Sequence, residues 1–486
     1  MMGRDLLSAA KKNWPDNIFL KSSEKSLSFK EADLFVSRLA EKLQSFGVTA
    51  GERIAFIPGF SIESVLLFFA LIRAEAVPVL LNSRSSSRQV NDYLVRSGAS
   101  VFITAKKGRV DLSEPVCKLC YLEDLFDHLQ NAARLHAGSA AANAGLLLLF
   151  TSGTAGKPKG VFLDLNSLGL LAERSNKRSG FGENDCWILS LPFFHVGGLG
   201  ILIRALVSGG AVFLPASNSA ETLLSLIKAG AGNYISLVPE MLKRLIVLDH
   251  EKTVLKNLKC IMLGGAASDS GLLEQVLKNG LPVVTTYGMT ETGSHVTALS
   301  LKEKGRHLET AGTPLEGIRI KIVDQEGCEL SANQTGRIVV YADTLYYGLL
   351  SDDGSVIKRK EDFYKTNDRG SLDPDGYLRV DGRIDRVYIS GGENVSCEYI
   401  EKMALEAGGI REAALIDVKD SKWGRSGVLF VVPDSASSFN VEHFQSALKA
   451  MLASYQYPQR IITIKTLPRT LAGKVDYECL KEQAGL

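Results

Sequence analysis

The stretch LLLLFTSGTAGKPKGV, residues 146–161, decides the fold. Its apolar start predicts a buried strand, and the glycine-rich segment that follows predicts a loop at the end of that strand. Glycines allow successive backbone N–H groups to point at an anion, hydroxyl side chains add donors, and two lysines add positive charge. The stretch therefore predicts a polyphosphate-binding loop, with a plain glycine-rich surface turn as the alternative. It is not a Walker A loop, because the Gly-x4-Gly-Lys-Ser/Thr spacing is missing.

Strand-like and helix-like segments alternate around this loop. Ser28 and Glu31 have the spacing of a helix-capping box, and Gly47 is placed to end that helix. Further on, helical spacing over 66–74 separates two apolar strand candidates. This alternation predicts a doubly wound α/β sheet of parallel strands. The strand candidates are RIAFIP (53–58), VPVLLN (77–82), WILSLP (187–192), AVFLP (211–215), YISLVP (234–239), CIMLGG (260–265) and PVVTTYG (282–288).

The pattern changes in the last third of the chain. From Ile318, short strands joined by Gly/Asp turns predict an antiparallel region. After Asp385 a second set of strand and helix patterns predicts a compact α+β unit of about a hundred residues. We expect an N-terminal domain over 1–381, a hinge over 382–385 and a C-terminal domain over 386–486.

Composition excludes several classes of protein. The 486 residues allow two or three packed units, and a net charge of +2 gives no argument for nucleic acid or an anionic membrane. The apolar stretch 65–81 is broken by charged residues and proline, so no membrane insertion is expected. The N-terminus lacks a signal-peptide pattern, which favours the cytosol. Seven scattered cysteines suggest reduced thiols, and the pair Cys117 and Cys120 lacks a second metal-ligand pair.

The glycine-rich loop resembles the signature of the adenylate-forming superfamily, which includes acyl-CoA synthetases, luciferases and peptide-synthetase adenylation domains. Three later segments match further motifs of that superfamily in the same order: YGMTE (287–291), YKTNDRGSLDPDGYLRVDGRIDR (364–386) and LPRTLAGKVDY (467–477). The resemblance implies two doubly wound α/β subdomains plus a small antiparallel β subdomain, followed by a small mobile C-terminal α+β domain. Ala155 departs from the usual Thr, and VFLDLN after Gly160 lacks a histidine that many members carry.

The resemblance implies a set of nucleotide-binding residues. The loop would hold the β- and γ-phosphates of ATP, small residues would form the adenine wall, and an aromatic ring would stack on the base. Thr290 would donate to a phosphate, Glu291 would ligate Mg2+, and Asp368 and Arg383 would contact the ribose. The remaining members of this set are Thr151, Ser152, Gly153, Thr154, Gly156, Lys157, Lys159, Gly264, Gly265, Ala266, Tyr287 and Gly288.

The resemblance also implies two half-reactions. A carboxylic acid would attack ATP to give an acyl-adenylate and pyrophosphate, with Lys474 stabilising the shifting negative charge. The C-terminal domain would then rotate about Asp385, and Gly391 and Gly392 would line the tunnel for coenzyme A. The thiol of coenzyme A would displace AMP.

Two residues bear on the acid. His195 matches a superfamily position near the acyl site, with a histidine satisfied at a helix start as the alternative. Arg204 follows nine residues later in an apolar helix, and an unpaired buried arginine is costly, so it requires an anionic partner. That partner is either an acidic residue of the protein or a second carboxylate on the substrate. Gly265 and Gly288 are also expected to border the acid.

The segment that carries His195 and Arg204 resembles that of o-succinylbenzoate–CoA ligases of menaquinone biosynthesis, whose substrate carries two carboxylates. The alternatives are another acyl- or aryl-CoA synthetase and a ligase that loads a carrier protein; the lack of a following carrier domain favours coenzyme A. A degenerate adenylate-binding sensor is a non-enzymatic alternative. Retention of the charged set Lys159, Glu291, Asp368, Arg383 and Lys474 argues against a sensor. Assembly of identical copies is compatible with the sequence.

Overall fold

The computed structural model describes residues 5–83, 85–105, 117–127, 145–151, 158–250, 253–265, 270–303, 307–390, 393–420, 424–435, 439–452, 455–470 and 473–485. The chain divides into two compact units. The first comprises Met1–Lys321, Val339–Tyr364 and Leu372–Arg379, and the second comprises Ile322–Ile338, Lys365–Ser371 and Val380–Leu486.

A nine-stranded sheet forms one half of the first unit. Its central strands pair in parallel, as predicted, and its outer strands pair antiparallel. The strand order across the sheet is Thr313–Pro314, Ser294–Ala298, Val283–Met289, Cys260–Leu263, Tyr234–Leu237, Cys186–Ile188, Ala211–Phe213, Ile18–Lys21 and Ser26–Ser28. Five of the apolar strand candidates of the sequence thus lie in this sheet, where their parallel pairing places their carboxyl ends at one edge.

An eight-stranded sheet forms the other half of this unit. Its order is Val356–Lys358, Gly348–Leu350, Lys159–Asp164, Leu146–Thr151, Val77–Leu80, Arg53–Phe56, Val101–Thr104 and Lys118–Tyr121. The stretch VFLDLN (161–166), which carried no predicted structure, supplies the last four residues of the strand Lys159–Asp164 and the first two of the helix Leu165–Ser179. This strand runs antiparallel to Leu146–Thr151, an exception to the parallel pairing expected of the doubly wound sheet. Gly160 is required here, because a Cβ atom would lie 2.7 Å from the Leu350 Cβ on the neighbouring strand.

Helices cover both sheets. The capping box at Ser28 is confirmed, since its side chain accepts from the Glu31 N–H and the Glu31 carboxylate accepts from the Ser28 N–H. Leu6–Asn13 is an earlier helix that was not predicted from the sequence. The other helices of this unit are Phe29–Ser45, Ile62–Arg73, Ser87–Ser97, Leu122–Phe126, Leu165–Ser179, Val196–Leu206, Ala220–Lys228, Pro239–Leu248 and Ser270–Lys278, with short 3-10 turns at Leu255–Asn257, Thr290–Thr292 and Leu301–Glu303.

The second unit has its own core. Ile400, Leu429 and Phe444 are among the buried residues that pack together there. It contains the hairpin strands Val387–Ser390 and Glu393–Ser396, and a sheet of Ile410–Asp420, Gly424–Pro433 and Arg460–Thr463. Its helices are Cys397–Glu406, Val441–Met451 and Tyr477–Gln483, so the predicted α+β class is confirmed. The division between the units falls within four strands, Arg319–Val323, Gly336–Tyr341, Phe363–Leu372 and Leu378–Arg383.

Within the described ranges, none of the helices combines the length and apolar character needed to cross a lipid bilayer.

Candidate functional site

The glycine-rich loop is carried by a hairpin. Leu146–Thr151 and Lys159–Asp164 pair antiparallel, and Thr151 stands opposite Lys159. The Thr151 hydroxyl donates to the Lys159 carbonyl over 3.4 Å. The two residues that flank the loop are therefore fixed by the sheet, so that the loop begins and ends at one point of its edge.

Lys159 meets Glu291 at this edge. The Lys159 Nζ lies 3.0 Å from Glu291 Oε1, and the hydroxyl of Tyr364 donates to the same oxygen over 3.2 Å. The ammonium also lies 5.6 Å from the centre of the Tyr364 ring, within the range of a cation–π contact. Tyr346 packs edge-on against Tyr364 and donates its backbone N–H to the Glu291 carbonyl. The structure thus brings together two predicted residues far apart in sequence.

A tight turn sets the position of Glu291. The strand Val283–Met289 ends in the 3-10 turn Thr290–Thr292, and the buried Thr292 hydroxyl bonds the carbonyls of Met289 and Ser294. Gly293 completes the turn with a φ of 75°, a conformation that favours glycine. The Glu291 side chain is 13% exposed, so its carboxylate faces a partly closed space beside Lys159. Thr290 lies in the same turn.

Gly264 and Gly265 of the predicted adenine wall lie at the carboxyl end of the strand Cys260–Leu263. Gly264 approaches the next strand so closely that a Cβ atom would lie 2.4 Å from Thr286 Oγ1. Gly265 has a φ of 81°. Tyr287 follows on the adjacent strand, and Leu263 pairs with Thr285 in parallel register. Small residues and an aromatic ring therefore share one strand edge.

Arg204 is enclosed within the first unit. It is 2% exposed and lies on the helix Val196–Leu206. Its Nε donates to Ser175 Oγ over 2.9 Å, its Nη2 lies 3.1 Å from His295 Nδ1, and its guanidinium lies 5.0 Å from the Trp187 ring centre. Within the part of the chain that the structure describes, Arg204 forms no ion pair with an acidic side chain and its Nη1 has no hydrogen-bond partner.

Burial governs the charges of this cluster. Burial lowers the pKa of Arg204 to about 10, which leaves the guanidinium charged at neutral pH. Burial, together with the nearby charges of Arg204 and Arg178, holds the pKa of His295 well below its usual value of 6.5. His295 is therefore neutral. Because an arginine can only donate, Nδ1 of His295 is the acceptor and Nε2 carries the proton.

His195 occupies the N-cap position of the same helix. Its backbone N–H donates to the Pro192 carbonyl, and its ring lies 4.5 Å from the Phe194 ring, centre to centre. The side chain makes no capping hydrogen bond and is partly exposed. Gly200, one turn before Arg204, leaves room for the guanidinium, because a Cβ there would lie 3.3 Å from Arg204 Nη1. The charge of Arg204 thus extends back along the helix toward the end that carries His195.

Three predicted residues meet in the second unit. Arg383 pairs with Asp385 through two hydrogen bonds, 2.8 Å from Nε to Oδ1 and 2.7 Å from Nη2 to Oδ2. These bonds raise the pKa of Arg383 above its usual value. The Arg383 Nη1 also lies 3.8 Å from Asp368 Oδ1. The predicted ribose residues and the predicted hinge residue therefore form one charged group.

Lys474 lies in a loop of the same unit. The loop is closed by a hydrogen bond of 2.7 Å from the Thr470 N–H to the Lys474 carbonyl, and the Lys474 side chain is exposed. Tyr477 follows three residues later, and its ring lies 4.0 Å from the guanidinium of Arg386, which pairs with Glu401 over 2.7 Å. Arg386 adjoins Asp385, so partly buried contacts connect the segment after Asp385 with the segment after Lys474.

Several predicted residues fall outside the described ranges. They are Ser152, Gly153, Thr154, Gly156 and Lys157 of the loop, Ala266 of the adenine wall, and Gly391 and Gly392 of the predicted tunnel.

Tyr364 and His295 were not predicted as site residues from the sequence. Tyr364 opens the motif that leads to Asp368, so its place in that motif was an available signal. His295 follows the YGMTE segment by four residues, but nothing in the local pattern distinguishes it from a buried strand residue. Its contact with Arg204 joins elements 91 residues apart and appears only in the folded chain.

The hairpin loop, the carboxylate beside it and the separate lysine loop belong to a known class of enzyme. The chain is a member of the AMP-binding enzyme family: the model of that family matches residues 7–350, and the model of the AMP-binding enzyme C-terminal domain matches residues 399–474. This confirms the predicted superfamily and the predicted class of fold.

Among its relatives, the chain is similar to 2-succinylbenzoate–CoA ligase of Geobacillus sp. (strain WCH70), with 30% identity over 473 residues, or 96% of this chain and 95% of the relative. It is also similar to the solved structure of o-succinylbenzoate CoA synthetase (MenE) from Bacillus subtilis in complex with the acyl-adenylate intermediate OSB-AMP. That match has a TM-score of 0.88 and 28% identity and covers 98% of each chain. The same synthetase in complex with ATP and a magnesium ion matches with a TM-score of 0.87, 28% identity and coverage of 98% and 99%.

Proposed function

We propose that this chain is an ATP-dependent o-succinylbenzoate–CoA ligase that acts in menaquinone biosynthesis. The observation that carries the choice of acid is Arg204, a buried cation with no acidic partner among the described residues. An uncompensated buried charge is costly, so an anionic ligand is the partner that stabilises it. o-Succinylbenzoate has one carboxylate to activate and a second to recognise. The relatives of this name over nearly the full chain support the same choice.

The polyphosphate of ATP binds at the hairpin loop. Thr151, Ser152, Gly153, Thr154, Gly156 and Lys157 provide N–H, hydroxyl and ammonium groups, and Lys159 stands at the loop's end, where the sheet fixes it. Gly264, Gly265 and Ala266 flank the adenine, Tyr287 stacks on it with Gly288 alongside, and Thr290 donates to a phosphate. Asp368 and Arg383 contact the ribose.

The residues present suit a magnesium ion. Glu291 offers a carboxylate that is 13% exposed and already lies beside a cation, Lys159. Mg2+ prefers oxygen ligands and is commonly held by one or two carboxylates together with substrate phosphates. Glu291 would hold the ion, which neutralises charge on the polyphosphate. The hydroxyl of Tyr364 orients the Glu291 carboxylate.

The acid lies between His195 and Arg204, with Gly265 and Gly288 as its close backbone neighbours. His195 presents a partly exposed ring at the helix start. Arg204 supplies positive charge in a low-dielectric interior, where an ion pair is much stronger than in water. The unreactive carboxylate of o-succinylbenzoate is the matching anion.

The reaction has two steps. A carboxylate oxygen of the acid attacks the α-phosphorus of ATP and pyrophosphate leaves, while the ammonium of Lys474 stabilises the developing negative charge. The sulfur of coenzyme A then attacks the acyl carbonyl carbon and AMP leaves. Rotation of the C-terminal domain, 386–486, about Asp385 separates the steps, with Gly391 and Gly392 beside the incoming thiol. The N-terminal domain is 1–381 and the hinge 382–385.

The substrates are small molecules, namely the acid, ATP and coenzyme A. The cytosol is the proposed place of action, since ATP and coenzyme A are available there. Self-association is compatible with this function, and the chain needs neither nucleic acid nor a membrane for the reaction.

A panel of acids in a coenzyme A-dependent AMP-release assay tests the proposal. o-Succinylbenzoate is expected to react, and 4-oxo-4-phenylbutanoate, which lacks the ring carboxylate, to have a KM at least about tenfold higher. Arg204→Gln is expected to remove that difference by raising the KM for o-succinylbenzoate alone. If o-succinylbenzoate is inert while monocarboxylic acids react, the choice of acid fails and only the general ligase reaction remains.

A further inference from the structure

His295 and Arg204 share a feature that their structural contacts leave unexplained. Both side chains are buried, yet Arg204 Nη1 and His295 Nε2 have no hydrogen-bond partner within the described residues. Native proteins leave few buried donors unpaired, because an unpaired buried donor loses its hydrogen bonds to water without replacement. The two atoms belong to one hydrogen-bonded pair, joined over 3.1 Å from Arg204 Nη2 to His295 Nδ1. An anion bound at this buried, positively charged cluster would accept hydrogen bonds from both unpaired donors.

The tautomer of His295 makes it a donor toward that anion. Arg204 donates to Nδ1, which leaves the proton on Nε2. Ser175 and the Trp187 ring also contact the guanidinium, so its orientation toward His295 is fixed. The neutral imidazole therefore adds a donor without adding a second buried charge.

The backbone of His295 is held as firmly as its ring. Gly288 stands opposite His295 on the neighbouring strand, and a Cβ at Gly288 would lie 2.4 Å from His295 Cα and 2.1 Å from the Ser294 oxygen. The close approach requires glycine. His295 lies four residues beyond Glu291 on the chain, and Arg204 lies on the helix that His195 begins, so the pair connects two elements that carry predicted site residues.

We propose that His295, through Nε2–H, is a specificity-determining residue that binds the unreactive carboxylate of the acid together with Arg204. This inference rests on the proposed function, since it names the recognition of the second carboxylate. A carboxylate has enough lone pairs to accept from both donors, and bonds to a charged acceptor are stronger than neutral ones.

Two variants separate this role from a positioning role. His295→Gln keeps an N–H near the place of Nε2 but loses the acceptor at Nδ1, whereas His295→Asn keeps an acceptor near Nδ1 but has no group that reaches Nε2. KM and kcat are measured for o-succinylbenzoate and for 4-oxo-4-phenylbutanoate. We expect His295→Asn to raise the KM for o-succinylbenzoate about tenfold or more and His295→Gln to change it less than about threefold.

The monocarboxylic acid is the internal control, because a variant that is merely misfolded loses activity with both acids. An unchanged ratio of the two KM values in His295→Asn would overturn the inference, and so would an equal loss in His295→Gln and His295→Asn. Failure of the proposed function is separate: the wild-type protein would then not use o-succinylbenzoate at all. A variant that loses both acids is compared instead by direct titration of o-succinylbenzoate, where weaker binding only in His295→Asn supports the role and equal binding contradicts it.

Discussion

The ammonium of Lys159 lies 3.0 Å from Oε1 of Glu291, although the two residues are 132 positions apart in the chain. One stands at the end of the glycine-rich hairpin and the other in the turn after the strand Val283–Met289. The contact brings a proposed phosphate ligand next to a proposed metal ligand. Binding of ATP with Mg2+ would replace this single ion pair by contacts of both side chains with the ligand.

Glu291→Gln is expected to weaken the use of magnesium. The amide keeps the size of the side chain but loses the charge that Mg2+ requires. We expect the Mg2+ concentration for half-maximal activity to rise about tenfold or more at fixed ATP. A Mg2+ titration of the AMP-release rate measures it.

The matched control is Tyr364→Phe, which removes only the hydroxyl that donates to Glu291. Because the hydroxyl would act on the ion only through Glu291, we expect a smaller effect, about two- to tenfold in the same titration, which corresponds to an ordinary hydrogen bond of roughly 0.5–1.5 kcal/mol. A larger effect for Tyr364→Phe than for Glu291→Gln would contradict the assignment of Glu291.

Lys474→Ala is expected to separate the two half-reactions. Loss of the ammonium removes charge stabilisation in adenylation, so the rate of pyrophosphate exchange should fall at least about a hundredfold. Transfer of a supplied acyl-adenylate to coenzyme A should stay within about tenfold of wild type. Equal losses in both assays would rule out the alternating use of the C-terminal domain.

Gly288→Ala is expected to destabilise the first unit. Its Cβ would lie 2.1 Å from the backbone oxygen of Ser294, which a side-chain rotation cannot relieve. We expect the free energy of unfolding, from urea titration, to fall by about 2–3 kcal/mol. Gly182→Ala is the control, since no atom lies within 4 Å of a Cβ there. Similar stability of the two variants would show that the close strand approach is not needed.

His295 makes stability depend on pH. Its pKa is well below 6.5 in the folded chain, because it is buried and faces Arg204 and Arg178. When the pH falls below 6.5, the unfolded chain binds a proton at this residue and the folded chain does not. The contribution of neutral His295 to the free energy of unfolding is therefore complete above pH 6.5. It is lost as the pH falls below 6.5, by up to about 1.4 kcal/mol per pH unit.

His295→Gln cannot take up this proton. From pH 7.5 to pH 5.5, the free energy of unfolding of the wild type should therefore fall relative to that of His295→Gln. Urea titrations of both proteins at the two pH values measure the shift. A difference that stays constant would mean that His295 titrates normally in the fold.

The sequence alone predicts the fold correctly wherever the signal lies within a short segment of the chain. The capping box of Ser28 and Glu31 acts within one helical turn, and the apolar strands carry their own periodicity. The strand Lys159–Asp164 was not predicted, because its pairing with Leu146–Thr151 depends on the return of the chain after the loop. A change from parallel to antiparallel pairing leaves no trace in an apolar pattern.

For the candidate site too, residues within a motif can be predicted from the sequence, whereas contacts between distant residues cannot. Glu291 and Lys159 could be singled out because each belongs to a motif, but their contact is tertiary. For Arg204 the sequence left two partners open, an acidic residue of the protein or a substrate. Within the described residues the structure supplies Ser175, His295 and Trp187 instead, none of them acidic. Such contacts depend on how helices and strands pack, which residue spacing does not determine.

The most direct test of adenylate formation is exchange of radiolabelled pyrophosphate into ATP by the wild-type protein, with Mg2+ present and coenzyme A absent. We predict exchange that requires o-succinylbenzoate, because formation of the acyl-adenylate is reversible only when the acid is bound. A folded sample that shows no exchange with o-succinylbenzoate would contradict the choice of acid, and one that shows no exchange with any acid of the panel would contradict adenylate formation by this chain.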